Sequence, residues 1–188
     1  MEPPSSFLED VGDVTRALSS LGLDPVLVGG MALVLRGSTR VTRDFDFVVR
    51  NPAAALDAMI GALYERGFEL VSRVDDGGAV RATIDNHRIA VTRLRIDAPR
   101  SAYFYKHANG LRIDLLFDYP LPAESLSARA ENITVGAQRL QVACEADLLR
   151  LKKIALSQRT APGDASDVAF LEARRRSRKK AKRRKATP

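Results

Sequence analysis

Two aspartates one residue apart, Asp44 and Asp46, have the types and spacing that most favour chemistry in this 188-residue chain. Side chains alternate across a β-strand, so both carboxylates are expected on one side of a strand, with Phe45 and Phe47 on the other. Carboxylates about 7 Å apart raise each other's pKa unless a cation intervenes. Hard divalent cations bind carboxylate and phosphate oxygens, so the pair is typical of a metal site for a phosphorylated substrate. A strand with solvated aspartates is the alternative.

A glycine pair, Gly29 and Gly30, precedes Asp44, with thirteen residues between Gly30 and Asp44. It follows an apolar run at 26–28 that predicts a strand, and it precedes a short predicted helix at 31–35. Glycine lets a backbone approach a phosphate closely, and the first turn of a helix offers unpaired N–H groups to an anion. Strand, glycine pair, helix and paired aspartates together predict a nucleoside triphosphate held on metal.

This arrangement resembles the signature of the polymerase-beta-type nucleotidyltransferase superfamily. Residues 40–46, RVTRDFD, are similar to the R-x-T-x-D-x-D form of small bacterial members, which include the AbiEii and MenT-type toxins of type IV toxin-antitoxin systems. The resemblance implies an α+β nucleotidyltransferase fold with a mixed central sheet flanked by helices. It also implies transfer of a nucleotidyl group from an NTP to an acceptor hydroxyl, assisted by two Mg²⁺ (or Mn²⁺) ions.

A third acid, Asp114, lies in the run LRIDLLFD, which predicts an otherwise apolar strand. A carboxylate in such a strand needs a partner. In the superfamily the third metal-site acid lies on a strand of this kind, so the resemblance assigns Asp114 to the metal with Asp44 and Asp46. The alternative is an ion pair with Arg112 or with an arginine on a neighbouring strand.

Residues 147–167 resemble the C-terminal part of the same small bacterial enzymes, through Asp147-Leu148, Lys152, Arg159, Asp164 and Asp167. The resemblance assigns Lys152 and Asp167 to the active site, and Asp164 is the less favoured choice for the aspartate. Lys153 is open as an alternative to Lys152, and so is a surface role for this lysine. The residues predicted to contact the nucleotide are Gly29, Gly30, Ser38, Arg40, Thr42 and Asp164, with Arg43 as a further candidate.

The elements that must position these residues follow from periodicity and turn residues. Helices are predicted at 7–21, 52–66, 123–130, 145–156 and 164–172, with Asn51 and Asp164 as N-caps. Further strands are predicted at 68–71, 80–84, 88–96, 103–105, 111–117 and 133–135. We interpret residues 1–140 as a catalytic domain, 141–173 as helices packed on it, and 174–188 as a basic, disordered tail.

The charge of the chain is concentrated at its C-terminal end. The net charge is +7, and residues 174–185, RRRSRKKAKRRK, contain ten of the thirty lysines and arginines. Such a segment binds polyanions by releasing counterions, so RNA is the predicted partner, with a solubilising tail as the alternative. No apolar run is long enough to span a membrane, no secretory signal precedes residue 10, and the single cysteine forms no intrachain disulfide. A cytoplasmic protein is expected.

The predicted activity is nucleotidyl transfer to a tRNA 3′ end, as the toxin of a toxin-antitoxin pair with a possible cognate antitoxin. A small molecule of the aminoglycoside type, or a protein, is the alternative acceptor. The third hypothesis is a catalytically inert nucleic-acid-binding module of the same fold, and the intact acidic pair argues against it.

Overall fold

The computed structural model describes residues 5–158 and 163–185, and these residues form a mixed α+β structure. The helices are α1 (Ser5–Ser20), α2 (Gly29–Val34), α3 (Leu56–Tyr64), α4 (His87–Asp97), α5 (Ala123–Ser127), α6 (Glu145–Gln158) and α7 (Asp164–Lys185). The strands are β1 (Val26–Val28), β2 (Asp44–Val49), β3 (Phe68–Val74), β4 (Val80–Ile84), β5 (Ser101–Lys106), β6 (Leu111–Phe117), β7 (Glu131–Val135) and β8 (Gln138–Val142).

The eight strands form one mixed sheet in the order β4-β3-β5-β6-β2-β1-β8-β7. The two central strands, β2 and β6, are parallel, although they are far apart in the chain. Each is flanked by an antiparallel neighbour, β1 beside β2 and β5 beside β6. The predicted α+β class with a mixed central sheet is confirmed.

One face of this sheet carries the hydrophobic core. Phe45, Ile113 and Phe104 lie in register on β2, β6 and β5, and all three are fully buried. Lys106 lies on the same side of β5 as Phe104 and donates to Asp10 of α1 over 2.6 Å, which places α1 over this face. Helix α3 contacts both α1 and α4. Because side chains alternate along a strand, the predicted site residues of β2 and β6 lie on the opposite face.

The prediction of a strand at 88–96 is wrong, because these residues form helix α4. The side chain of Asn86 accepts a hydrogen bond from the Ile89 backbone N–H over 3.1 Å, as a helix N-cap does. Ala90, Val91 and Leu94 are buried at helical spacing. The β-branched residues of this segment favoured a strand, but the cap and the three-to-four-residue spacing determine the structure.

The start of one helix and the presence of one strand in the body of the chain also differ from the prediction. The side chain of Asn51 accepts from the Ala53 backbone N–H over 3.1 Å, so it stabilises a turn, and α3 begins only at Leu56. Strand β8 was not predicted, although its inward residues alternate with outward ones in the usual strand pattern. It pairs with β7 and lies parallel to β1.

The basic segment is helical through Lys185, so the predicted disorder of residues 174–185 is not what the structure shows. Arg174 and Arg178 both bond Glu145 of α6, at 2.8 and 3.3 Å, which fixes this part of α7 along α6. Residues 186–188 and Arg159 lie outside the described residues. Within the described ranges, no helix is both long and apolar enough to cross a membrane.

Candidate active site

Strand register brings the three predicted acids together. Asp46 of β2 lies directly opposite Asp114 of β6, and Asp44 is on the same face two residues earlier. On its other side Asp46 lies opposite Val28, the last residue of β1 before the glycine pair. Three carboxylates therefore share one face beside the turn from β1 into α2.

The turn itself requires glycine at its first position. Gly29 has φ +64°, a conformation in the left-handed region that favours glycine. A Cβ at this position would lie 1.8 Å from Oδ2 of Asp46, so the carboxylate occupies the space that a side chain would need. At Gly30 a Cβ would meet Nε of Arg40 at 3.0 Å and Cγ2 of Thr42 at 3.2 Å. Both glycines thus permit site residues to pack directly on the backbone.

The electrostatics of the acids indicate an excess of negative charge. Asp46 keeps some accessible surface toward the cleft, but the dense packing around its carboxyl group raises its pKa to about 7, and the charges of Asp114 and Asp44 add to this effect. Lys152 and Arg112 act in the opposite direction. Burial also raises the pKa of Asp114, against the opposing influence of Arg112. A bound cation would relieve this repulsion.

Arg112 holds the third acid in the present arrangement. Its Nε and Nη2 donate to the two carboxylate oxygens of Asp114 at 2.9 and 3.0 Å, and its guanidinium lies 4.7 Å from the centre of the Tyr103 ring. The alternative prediction for Asp114, an ion pair with Arg112, is therefore realised.

The three carboxylates suit Mg²⁺ or Mn²⁺ in their chemistry, because both ions prefer carboxylate oxygens. Their side chains are not assembled for it: in the part of the chain that the structure describes, no three His, Cys, Asp or Glu side chains are arranged to hold an ion together. Arg112 would compete with such an ion for the oxygens of Asp114.

A second charged cluster joins α6, α7 and the loop after α2. Nζ of Lys152 lies 3.1 Å from Asp164 and 2.7 Å from Asp167, and Arg40 bonds the same Asp167 oxygen at 2.5 Å. Lys152, Asp164 and Asp167 are all buried. Lys153, in contrast, is exposed and pairs with Glu172, and of the two lysines only Lys152 lines the cleft.

A cleft of about 440 Å³ connects the two clusters. The predicted residues that line it are Gly29, Gly30, Arg40, Thr42, Asp44, Asp46, Asp114, Lys152 and Asp164. Ser38 and Asp167 line a neighbouring cavity instead, behind Arg40, and the Ser38 hydroxyl accepts from the Arg40 backbone N–H at 3.3 Å. Arg43 is exposed and does not line the cleft.

The cleft also contains residues that sequence reasoning did not assign to the site. Tyr103 of β5 lies opposite Asp114, and Tyr119 follows β6 and donates its hydroxyl to Gln158 of α6 over 3.1 Å. Alternation along β5 could have placed Tyr103 on the acidic face. Nothing in the sequence indicates that Gln158 meets Tyr119, because that contact depends on how α6 packs.

Solved structures that resemble this chain include an adenylyltransferase and a nucleotidyltransferase-like protein. The chain matches an antigenic nucleotidyltransferase-like protein from Paracoccidioides brasiliensis with a TM-score of 0.56 and 18% identity, over 90% of this chain and 77% of that one. It matches the lincosamide antibiotic adenylyltransferase LnuA with a TM-score of 0.54 and 13% identity, over 92% and 98% of the two chains. The antibiotic-resistance factor ANT(2″)-Ia gives 0.51 and 13%, over 97% of both chains.

No curated protein sequence matches the chain significantly. A family model does: the nucleotidyl transferase AbiEii toxin family of type IV toxin-antitoxin systems matches residues 14–186, which is nearly the whole chain. The predicted resemblance is therefore confirmed, and the chain belongs to the AbiEii nucleotidyl transferase toxin family.

Proposed function

We propose that this nucleotidyltransferase moves a nucleotidyl group from an NTP to the 3′-hydroxyl of a tRNA. In this reaction the acceptor hydroxyl attacks the α-phosphorus, a new P–O bond forms, the bond between the α-phosphorus and its bridging oxygen breaks, and pyrophosphate leaves. The enzyme contributes mainly position and charge neutralisation, as is general for phosphoryl chemistry.

The observation that carries this proposal is the register of Asp46 opposite Asp114 beside the glycine turn. It supports a carboxylate site at one end of the cleft, next to backbone that phosphates can approach closely. Lys152 and Arg40 line the same cleft, and their positive charges would neutralise the triphosphate. Asp167 would hold both cations in place from behind.

Asp44, Asp46 and Asp114 would hold Mg²⁺ or Mn²⁺, in competition with Arg112 for the oxygens of Asp114. Such ions lower the pKa of an attacking hydroxyl and neutralise charge on the leaving pyrophosphate. Thr42 lines the cleft and would contact phosphate oxygens, whereas Ser38 would act indirectly, through the backbone of Arg40.

The proposed acceptor is supported by charge. Residues 174–185 carry ten cations on the final helix, an arrangement that favours a polyanion. The second candidate acceptor is a small hydroxylated molecule, because a cleft of about 440 Å³ is within the range of small-molecule sites and LnuA, solved with lincomycin bound, shares the fold. A small acceptor gives the basic helix no role, so we favour tRNA.

Membership in a type IV toxin-antitoxin family indicates a cognate antitoxin. Its identity and its mode of action are separate questions from the chemistry of the cleft. We place the reaction in the cytoplasm, where tRNA and NTPs are both available.

The decisive experiment offers the purified protein each α-labelled NTP in turn, with Mg²⁺ or Mn²⁺ and total tRNA. Label should appear on tRNA and should disappear when the tRNA 3′ end is oxidised by periodate. A parallel incubation contains aminoglycosides and lincosamides instead of tRNA. Label on a drug or on protein, with none on tRNA, would refute the tRNA acceptor.

A further inference from the structure

A second groove lies on the side of α6 that faces away from the acids. Its volume is about 420 Å³, and it runs between α6 and α7. The residues lining it include three cationic side chains, Arg150 and Lys153 on α6 and Arg175 on α7, all of them exposed. None of these residues belongs to the cleft that contains the carboxylates.

The charge balance of this groove is positive. Lys153 is paired with Glu172 at 2.8 Å, and Arg174 and Arg178 are paired with Glu145. For Arg150 and Arg175, no carboxylate among residues 7–158 and 163–178 lies within ion-pair distance. The paired residues fix α7 against α6, and the two remaining arginines present their charge to solvent.

The groove and the catalytic cleft share a wall. Ile154 of α6 lines both, with Lys152 and Ala155 on the cleft side and Arg150 and Lys153 on the groove side. The cationic groove and the carboxylate cleft therefore lie on two sides of the same helix. A chain that lay in the groove could pass over the end of α6 and place its terminus in the cleft.

We propose that the α6–α7 groove, defined by Arg150, Lys153 and Arg175, binds the sugar-phosphate backbone of the acceptor RNA on the 5′ side of its four 3′-terminal nucleotides. This rests on the proposed function, and it adds a specific surface and route to the general attraction of residues 174–185. The groove fixes the direction from which the RNA enters, so that the terminal nucleotides cross α6 and the 3′-hydroxyl reaches the carboxylates. Phosphate contacts of this kind position a nucleic acid without reading its sequence.

An RNA fits this surface better than an anionic membrane does. A membrane-binding helix needs large apolar or aromatic residues on the face opposite its cations. Residues 174–185 contain no aromatic residue and only Ala181 as an apolar one. The surface therefore offers charge without an insertion face, which suits the phosphates of an RNA.

The test compares two double variants that remove the same charge from exposed positions. Arg150→Ala with Arg175→Ala changes the groove, and Arg88→Ala with Arg95→Ala changes α4, on the other side of the sheet. Each is assayed for transfer to intact tRNA and to a tetranucleotide that carries only the 3′ end. The groove variant should lose about tenfold or more in kcat/KM with tRNA, mainly through KM, and should keep its activity with the tetranucleotide.

Salt dependence gives a second measurement on the same variants. Binding of tRNA should show a log–log salt slope that is shallower by about 2 for the groove variant, one unit for each lost phosphate contact, and unchanged for the α4 variant. Arg150→Lys with Arg175→Lys should restore most of the affinity, because charge alone is required. That rescue, with an unchanged melting temperature, separates a lost contact from damaged folding.

The outcomes that overturn the proposal are distinct from failure of the proposed function. If wild-type protein labels no RNA, the tRNA acceptor is wrong, and tRNA binding by the variants still tests the groove. The groove is refuted if both double variants bind tRNA equally well, or if activity with the tetranucleotide falls as much as activity with tRNA. If the groove variant lost binding to phosphatidylserine vesicles but retained tRNA binding, the groove would instead be a membrane-binding surface.

Discussion

Asp46 is subject to opposing demands from stability and function. Its carboxylate is crowded by protein, by Asp114 and by Asp44, which raises its pKa to about 7 from an ordinary value of 3.8. A proposed metal ligand must be ionised, and the same ionised group destabilises the metal-free fold. A residue that is proposed to take part in the chemistry is thus expected to weaken the folded state.

This conflict predicts opposite effects of Asp46→Asn on activity and stability. Nucleotidyl transfer should fall by about 1,000-fold or more, because a site charge is lost. Because the folded-state pKa lies above the unfolded one, the folded wild type binds more protons between about pH 4 and 7, so its stability falls as pH rises through that window. The amide avoids this loss.

Chemical denaturation at pH 5 and pH 8, with metal removed by a chelator, measures the effect. The variant should be more stable than the wild type at pH 8 by roughly 1–2 kcal/mol, less than full burial would give because the cleft side is open to water, with a smaller difference at pH 5. Equal stability at both pH values would show that Asp46 is not crowded by charge.

Arg112 provides a prediction about metal affinity. It holds both oxygens of Asp114, so it competes with a divalent ion for that carboxylate. In Arg112→Ala the state in which Arg112 holds Asp114 no longer competes with the metal. This variant should therefore bind Mn²⁺ about tenfold more tightly. Titration followed by the paramagnetic signal of free Mn²⁺ measures this without any turnover.

Arg100→Ala is the matched control for that titration, since Arg100 also lies over a tyrosine ring, at 4.9 Å from the centre of Tyr119, and bonds none of the three acids. Its Mn²⁺ affinity should equal that of the wild type. Weaker binding by Arg112→Ala than by Arg100→Ala would mean that Arg112 orients Asp114 for the metal.

At the level of elements, one buried carboxylate joins three segments of the chain. Asp167 of α7 bonds Lys152 of α6 and Arg40 of the loop after α2. Asp167→Asn leaves a buried lysine with less compensation, which should lower the free energy of unfolding by about 3 kcal/mol. It should also raise KM for the NTP, because both cations lose their fixed position.

Glu172→Gln is the matched substitution, also a carboxylate of α7 that pairs with a lysine of α6. That pair is exposed, so the loss should be below about 1 kcal/mol, and KM should not change. If the two variants are equally stable in urea denaturation, the buried pairing of Asp167 does not contribute to the free energy of unfolding.

Local patterns predicted most of the elements, and the errors lie where local signals conflict. The acidic strand with Asp44 and Asp46 and the strand at 111–117 follow from side-chain alternation, and both are present. The β-branched residues of 88–96 favour a strand, but this segment forms helix α4 with Asn86 as its N-cap. The C-terminal cations were expected to repel one another into disorder, yet pairing of two of them with Glu145 anchors the helix.

The candidate site was predictable in its residues but not in its assembly. The glycine pair and paired aspartates follow one another in sequence, so their proximity is local. The parallel pairing of β2 with β6, which brings Asp114 to Asp46, joins residues 68 positions apart and depends on the order of the whole sheet. The same holds for Arg40 and Asp167, which a loop and a distant helix bring together.

At the scale of the whole molecule, the basic segment at residues 174–185 belongs to helix α7 and is not a diffuse tail. Helix α7 continues to Lys185, and residues 174–185 would span about 18 Å at the helical rise of 1.5 Å per residue. The first turn of the same helix supplies Asp164 and Asp167 to the candidate active site. One element therefore links the cleft to the region of highest positive charge.

Truncation after Arg178 tests the role of the basic C-terminal segment. It removes six lysines and arginines and lowers the net charge from +7 to +1, while Arg174 and Arg178 keep their bonds to Glu145. Each lost phosphate contact flattens the salt dependence of tRNA binding by about 0.7–0.9 in log–log slope, so the slope should decrease by several units.

A full-length control with the same six residues changed to glutamine should behave like the truncation. Transfer to a tetranucleotide acceptor and the thermal midpoint should remain those of the intact chain, because the core and the cleft are untouched. A salt slope that stays at its full-length value would mean that the terminal cations do not contact RNA, and would leave the α6–α7 groove as the sole cationic surface proposed for the acceptor.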